Sequence, residues 1–140
     1  MTALAAADRW AELLRGDAEG LTQRPAPQVW SPLEYGAHVR DVIRLFTERV
    51  AAIVSTDSPR FVGWDQEAAA VAARYDQMEP AIIAEEIAAD TDRLVRIIDA
   101  LEPEDWGRSG TRDGREFTVE FLLRYLLHDV EHHWYDVSEA

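Results

Sequence analysis

The 140-residue sequence contains no cysteine. This absence excludes disulfide bonds, cysteine-ligated zinc and a nucleophilic thiol supplied by the chain itself. Any thiol chemistry would therefore need a small molecule to bring the thiol. The sequence also lacks a run of the ~18 apolar residues that a membrane-spanning helix needs. Its N-terminus has neither a basic region nor a long apolar region, so we expect no signal peptide and a cytoplasmic location.

Positive charge is scarce as well. The chain carries 27 acidic and 14 basic residues, for a net charge of −13. An acidic surface repels nucleic-acid phosphates and anionic membranes, so we expect neither as a partner. The length indicates one domain over residues 1–140.

Apolar residues recur at helical spacing in four long segments. The predicted helices span residues 2–19, 32–55, 79–101 and 118–136, with a short helix over 65–75. No segment alternates with period two for long enough to predict a strand. The pattern therefore predicts an all-α fold, an antiparallel four-helix bundle. The roughly 24-residue stretch between the second and third long helices is too long for a simple hairpin and allows a crossover.

Three of these helices have a recognisable first residue. Ser31 is the predicted N-cap of the second long helix, with Pro32 at the first helical position and Glu34 placed to complete a capping box. Asp65 and Thr118 are the predicted N-caps of the short helix and the last helix.

The four histidines fall in two places, His38 alone and the others in the segment HDVEHH. His128 and His132 are spaced i, i+4, which puts their Cβ atoms roughly 5–6 Å apart on one helix face. Two such imidazoles can share a metal ion, and His38 from a distant helix would complete a three-ligand site with an open position. His133 lies about 100° around the helix from His132, so we assign it a structural role.

A plainer alternative is that these histidines are part-buried and bonded to backbone or carboxylate groups. The segment also departs from the HExxH pattern of metalloproteases, because Asp129 follows the first histidine where that pattern has glutamate.

Two carboxylates share a helix face with His38. Glu34 lies at i−4 and Asp41 at i+3, and either can hold the second ring nitrogen, as metal-bound histidines usually require. The alternative is a surface His38 paired with Glu34, an interaction of about 0.2–0.5 kcal/mol.

Three aromatic residues are candidates for substrate contact. Trp30 and Trp64 flank the second long helix and can wall the mouth of a pocket, and Tyr125 lies one turn before His128. The alternative for each is ordinary core or cap packing, because aromatic residues dominate protein cores.

Three segments together resemble a known family. WSPLEYGAHVRDV (30–42) is similar to the WSxxExxxHxxD signature that opens the second helix of the DinB superfamily. LLHDVEHHWYDV (126–137) resembles that family's C-terminal helix with its HxxxH pattern, and FVGWDQEA (61–68) resembles the stretch after helix two.

The resemblance implies a four-helix bundle with a long crossover between helices two and three. It also implies a divalent metal ion, zinc or nickel, held by His38, His128 and His132 with water completing the shell. Characterised relatives use low-molecular-weight thiols: they include mycothiol-dependent maleylpyruvate isomerase and transferases acting on mycothiol or bacillithiol.

Three functions remain open from the sequence. The first is a metal-dependent enzyme, of thiol S-transferase or hydrolase type, that activates a small thiol or a water toward a small-molecule substrate. The second is a metal-binding bundle without turnover, acting as a sensor or interaction protein. The third is a plain helical dimerisation domain. Wide apolar stripes make a homodimer compatible with any of the three.

Overall fold

The computed structural model describes residues 2–16 and 18–138. Its four long helices are α1 (Thr2–Leu14), α3 (Pro32–Ser55), α5 (Pro80–Asp99) and α6 (Val119–Ser138). Both α1 and α3 pack mainly against α5 and α6, so α1 and α3 occupy opposite corners of a bundle. The predicted helical bundle is therefore confirmed. The predicted crossover between the second and third long helices stays a prediction.

Apolar stripes on the four helices meet in one core, because each helix buries the face on which its apolar residues recur. Its largest fully buried side chains include Trp10, Leu14, Leu33, Ile53, Ile83, Ile87 and Leu126. None of the helices in the described part of the chain combines the length with the apolar composition that a membrane span requires.

The start of α3 follows the prediction. The Ser31 hydroxyl accepts a hydrogen bond from the Glu34 amide at 3.2 Å, and the Glu34 carboxylate accepts one from the Ser31 amide at 3.1 Å. Pro32 occupies the first helical position, where its missing N–H costs nothing. This capping box determines the residue at which α3 begins. It therefore also determines the position of His38 along that helix.

The other predicted N-caps are also confirmed. Asp65 accepts hydrogen bonds from two amides at the start of α4 (Gln66–Ala72), and the Thr118 hydroxyl accepts one from the Phe121 amide at the start of α6. The first helix is shorter than predicted: α1 ends at Leu14, and a separate turn, α2 (Ala18–Leu21), follows it.

The all-α prediction needs a correction, because three short strands form a small sheet. They are β1 (Arg60–Phe61), β2 (Ser109–Arg112) and β3 (Arg115–Thr118), in the order β1-β2-β3. Strand β1 pairs parallel with β2, and β2 pairs antiparallel with β3 through a turn at Asp113–Gly114, where both residues have positive φ. An Asp-Gly turn of this kind is the usual hairpin signal. The strands escaped prediction because they are short and polar.

Within the described residues two 3₁₀ turns complete the set of elements, at Tyr75–Gln77 and Pro103–Gly107. The segment between α3 and α5 thus holds β1, α4 and the first 3₁₀ turn. The sheet joins this segment to the one before α6, and both lie beside the face of α3 that carries the candidate site.

Candidate metal centre

Helix α6 turns a different face inward from the one that the sequence predicted. Its fully buried residues are Val119, Leu122, Leu126 and Val130. Asp129 and His133 flank this face and are largely covered, with 19% and 14% of their side-chain surface exposed. His128 is exposed and the His132 side chain is 60% exposed. The two predicted ligands therefore stack on each other at the surface, with ring centroids 6.0 Å apart.

The inward face brings three metal-ligating side chains together from α3 and α6. One ligand atom each from His38, Asp129 and His133 lies within 4.8 Å of the other two. His38 Nε2 is 3.6 Å from Asp129 Oδ2, and His133 Nε2 is 3.5 Å from Asp129 Oδ1. His38 thus keeps its predicted place, while Asp129 and His133 stand beside it in place of His128 and His132. His133, for which we predicted a structural role, belongs to the cluster.

His38 is buried with both ring nitrogens unpartnered. Its residue surface is 1% exposed, and neither Nδ1 nor Nε2 has a hydrogen-bond partner; the Asp129 Oδ2 atom is buried and unpartnered in the same way. Buried polar groups without partners are costly, by roughly 1–3 kcal/mol each. Such atoms concentrated at one point indicate that something external completes their interactions.

The observed spacing fits a shared ion better than direct hydrogen bonds. Distances of 3.5 and 3.6 Å are too long for good hydrogen bonds between nitrogen and oxygen. Two ligands each about 2.1 Å from a tetrahedral zinc ion lie roughly 3.4 Å apart. Two histidines and one carboxylate are also a known ligand set for catalytic zinc. The residues present therefore fit a divalent ion.

The charges of the cluster support one another. Burial opposes ionisation of the Asp129 carboxyl, but the adjacent His133 and His38 rings outweigh burial and hold its pKa well below the usual range. Burial likewise disfavours the charged form of His133, but the carboxylates of Asp129 and Asp136 outweigh it and raise the pKa of His133. The cluster therefore presents an ionised carboxylate to any cation that binds there.

Asp136 lies against the second ring nitrogen of His133, whereas the carboxylates that we predicted for this role, Glu34 and Asp41, were assigned to His38. The Asp136 Oδ2 atom lies 3.3 Å from His133 Nδ1, which leaves Nε2 of that ring facing Asp129. A carboxylate on the second nitrogen is the arrangement that orients metal-bound histidines. The spacing D-x-x-x-H-x-x-D over residues 129–136 is the sequence signal that would have identified it.

The two carboxylates predicted to hold His38 have other partners. Glu34 is bonded to the Arg24 guanidinium at 2.6 and 2.8 Å and to the Ser31 amide. Asp41 accepts hydrogen bonds from the Tyr75 hydroxyl and from Arg40. Neither holds the His38 ring, because the α3 cap and the packing of Tyr75 against α3 engage both.

Aromatic rings position His38 instead. The Trp64 indole stacks on the His38 ring with centroids 5.6 Å apart and planes within 7°, and Trp30 lies 5.5 Å away on a tilted plane. The His133 ring meets His38 edge to face at 4.7 Å. The contacts of Trp30 and Trp64 with His38 place both predicted aromatic residues at the site.

A cavity of about 200 Å³ reaches the cluster. His38 and Asp129 line it, together with Trp64 and Tyr125. Tyr125 stacks on Phe46 of α3 with centroids 5.6 Å apart, and so forms a wall of the cavity. Trp30 and His133 line a second cleft. The cluster is therefore open to small molecules.

Comparison with known proteins identifies a family and several structures with a similar fold. The chain matches the model of the DinB superfamily over residues 3–137. It is similar to the structure of YfiT from Bacillus subtilis, described as a probable metal-dependent hydrolase with an unusual four-helix bundle topology. The TM-score is 0.82 at 14% identity, covering 98% of this chain and 82% of YfiT.

Two further structures are similar. The mycothiol-dependent maleylpyruvate isomerase gives a TM-score of 0.74 at 14% identity, covering 95% of this chain but 57% of the isomerase. The DinB-like protein YjoA from Bacillus subtilis gives 0.63 at 18% identity, covering 94% of this chain and 78% of YjoA. A search of curated protein sequences gave no significant match.

At these identities the similar structures carry the fold alone, whereas the family model spans nearly the whole chain. The helical bundle agrees with that match. The protein belongs to the DinB superfamily.

Proposed function

We propose that this protein is a divalent-metal-dependent enzyme whose ion, zinc or nickel, is held by His38, Asp129 and His133. The enzyme would act on a small-molecule substrate with a low-molecular-weight thiol or a water as nucleophile. The observation that carries the proposal is the convergence of three ligand atoms within 4.8 Å, two of the residues having buried atoms without partners. The family membership and the description of YfiT as a probable metal-dependent hydrolase support it.

The residues of the chain have distinct parts in this proposal. Trp64 and Trp30 hold the His38 ring, Asp136 orients His133, and Asp129 supplies negative charge. A divalent ion there would supply Lewis acidity and lower the pKa of a thiol or water that it binds. The cavity beside His38 would receive the substrate between its aromatic walls.

A pair of alanine variants distinguishes this ligand set from the one predicted from sequence. We expect purified wild-type protein to carry about one zinc or nickel ion per chain by elemental analysis. His133→Ala should lose the ion and the exposed neighbour His132→Ala should keep it. Both variants should stay helical by circular dichroism, since packing of apolar faces supplies most helical stability.

The opposite pattern, loss in His132→Ala and retention in His133→Ala, would overturn our ligand set in favour of His38, His128 and His132. An absence of metal from every form, even after incubation with zinc, would overturn the proposed function itself.

Turnover is tested separately from binding. Metal-loaded wild-type protein with excess thiol and the electrophile chlorodinitrobenzene should give conjugation that His133→Ala does not. Ester hydrolysis is the parallel assay for water as nucleophile. Metal binding with neither activity across a panel of thiols and esters would favour a metal-binding bundle that acts as a sensor or interaction protein.

A further inference from the structure

The cavity beside His38 contains a buried arginine that has no acidic partner. Arg49 is 7% exposed and lines the cavity. Its Nη2 donates a hydrogen bond to the Val62 carbonyl at 3.0 Å, and its guanidinium lies over the rings of Phe46 and Phe61 at 5.7 and 5.3 Å. No carboxylate pairs with Arg49 among the residues that the structure describes. A buried charge without a counter-charge is costly.

Arg40 provides the contrast on the same helix. It is also 7% exposed, yet it bonds two carboxylates, Asp41 at 2.9 Å and Glu86 at 3.1 Å. The chain has 27 acidic residues for its 14 basic ones, so acidic partners are plentiful. Of the two arginines that are buried in the described part of the chain, Arg49 is therefore the one without a carboxylate partner.

A second arginine reinforces the positive charge. Arg112 of β2 lines the same cavity, and its guanidinium lies over the Phe117 ring at 5.2 Å, again without a carboxylate partner within the described part of the chain. Burial, and then repulsion from Arg112, lower the pKa of Arg49. Two neighbouring guanidinium groups of this kind favour an anion between them.

The other residues that line the cavity indicate the size and shape of the uncharged part of such an anion. On α3, Arg49 follows His38 by eleven residues, about 16 Å along the helix axis. Val42, Leu45 and Phe46 line the cavity between them, with Phe121 and Tyr125 from α6. A volume of about 200 Å³ is smaller than the ~300–1,000 Å³ of typical ligand pockets, so it suits a ligand with a single ring.

We infer that the cavity binds an aryl-substituted carboxylate, with the carboxylate against Arg49 and Arg112 and the flat apolar body between the phenylalanine and tyrosine rings. Guanidinium groups pair with carboxylates through parallel hydrogen bonds, and aromatic walls favour a flat ring. That the other end of the ligand meets the reacting centre at His38 and Asp129 rests on the proposed function; the binding itself does not.

The test is titration calorimetry with 3-phenylpropionate and its neutral analogue 3-phenylpropanamide, on metal-free protein. We expect wild-type protein to bind the carboxylate more tightly than the amide. Arg49→Met should weaken carboxylate binding by about tenfold or more and leave amide binding unchanged. Arg124→Met is the control, because Arg124 is exposed and paired with Glu120 outside the cavity.

Two further arms make the result decisive. Arg49→Lys keeps the charge and should retain part of the binding, so it serves if Arg49→Met does not fold; Arg112→Met should also weaken the carboxylate. Inorganic phosphate should bind more weakly than 3-phenylpropionate, since it lacks the ring. Equal binding of carboxylate and amide to wild-type protein, or unchanged carboxylate binding in folded Arg49→Met, would overturn the inference.

Metal content separates this result from the proposed function. Arg49→Met should retain the same metal content as wild-type protein while losing carboxylate affinity. If wild-type protein binds the carboxylate but takes up no metal even after incubation with zinc, the proposed function is overturned and the anion site remains in place.

Discussion

Gly110 of β2 packs closely against the β1 segment, next to Phe61, which lines the cavity. A Cβ atom at this position would lie 2.5 Å from the Phe61 ring and 2.9 Å from the Pro59 carbonyl oxygen. Phe61 in turn lies against Arg49. The close approach of β1 to β2 beside the cavity therefore requires glycine here.

We expect Gly110→Ala to lower the free energy of unfolding by about 1–3 kcal/mol, because the backbone oxygen cannot move aside as a flexible side chain would. Urea denaturation measures the change. Gly107→Ala is the matched control, since a Cβ at Gly107 meets nothing within 4 Å. Equal stability of the two variants would contradict the packing described for β2.

The histidine segment shows why the sequence alone could not decide which residues of α6 belong to the site. HDVEHH contains two overlapping pairs at spacing i, i+4, His128 with His132 and Asp129 with His133. The aromatic stripe of Phe121 and Tyr125 favoured the first pair, but both aromatic side chains are about half exposed because they border a cavity.

The buried face of α6 was nonetheless marked in the sequence. Leu126 and Val130 are buried, and Asp129 and His133 follow them by three residues each. A rotation of about 100° separates the two interpretations, and only packing against α3 decides between them. No such ambiguity affected His38, because the capping box at Ser31 determines where α3 begins and therefore on which helix His38 lies.

At the scale of elements, the N-cap of α3 positions the site. The Ser31 hydroxyl is buried and accepts the Glu34 amide hydrogen bond at 3.2 Å. Ser31→Ala should lower the free energy of unfolding by about 1 kcal/mol, since it leaves an amide of the first turn without its acceptor. Thermal or urea unfolding measures this change.

Ser55 near the end of α3 offers the control for Ser31. Its hydroxyl is exposed and only bonds back to carbonyl groups of its own helix. Ser55→Ala should therefore change stability by less than about 0.5 kcal/mol. A Ser31→Ala effect no larger than this would mean that the capping box does not stabilise α3.

Elements with a strong local signal were predictable, and those formed by distant pairing were not. Three helices begin at their predicted N-caps because capping depends on residues within one turn. Strand β1 has only two residues, and it pairs with β2 about fifty positions later along the chain. No local pattern in sequence identifies a pairing of that kind.

At the scale of the whole molecule, carboxylate–arginine pairs join helices and make stability depend on pH. Glu86 of α5 accepts hydrogen bonds from Arg44 at 2.8 Å and Arg40 at 3.1 Å, both on α3. The hydrogen bond from Arg44 lowers the pKa of Glu86. Burial opposes this effect, and Arg40 adds to it, so the pKa is lowered overall. A lowered pKa adds stability that is present above the unfolded value and is lost as the pH falls through the folded value.

We therefore expect the free energy of unfolding to decline as the pH falls below about 4.5, and Glu86→Gln to reduce this decline. Urea denaturation at pH 7 and at pH 3.5 measures both effects. Glu48→Gln, at an exposed position on α3, is the control. If Glu86→Gln were less stable than wild-type protein by the same amount at both pH values, the Arg44–Glu86–Arg40 contact would not be the origin of the acid sensitivity.

The sheet beside the cavity includes a very short ladder, since β1 offers only Arg60 and Phe61 for pairing with β2. Segments held by so few backbone hydrogen bonds open locally at a free energy well below that of global unfolding. We therefore expect the pairing of Phe61 with Arg112 to open while the four long helices stay packed. Local opening of this kind would let small molecules reach His38 and Asp129. Their rate of entry would then depend on the stability of the β1–β2 ladder and not on that of the helical bundle.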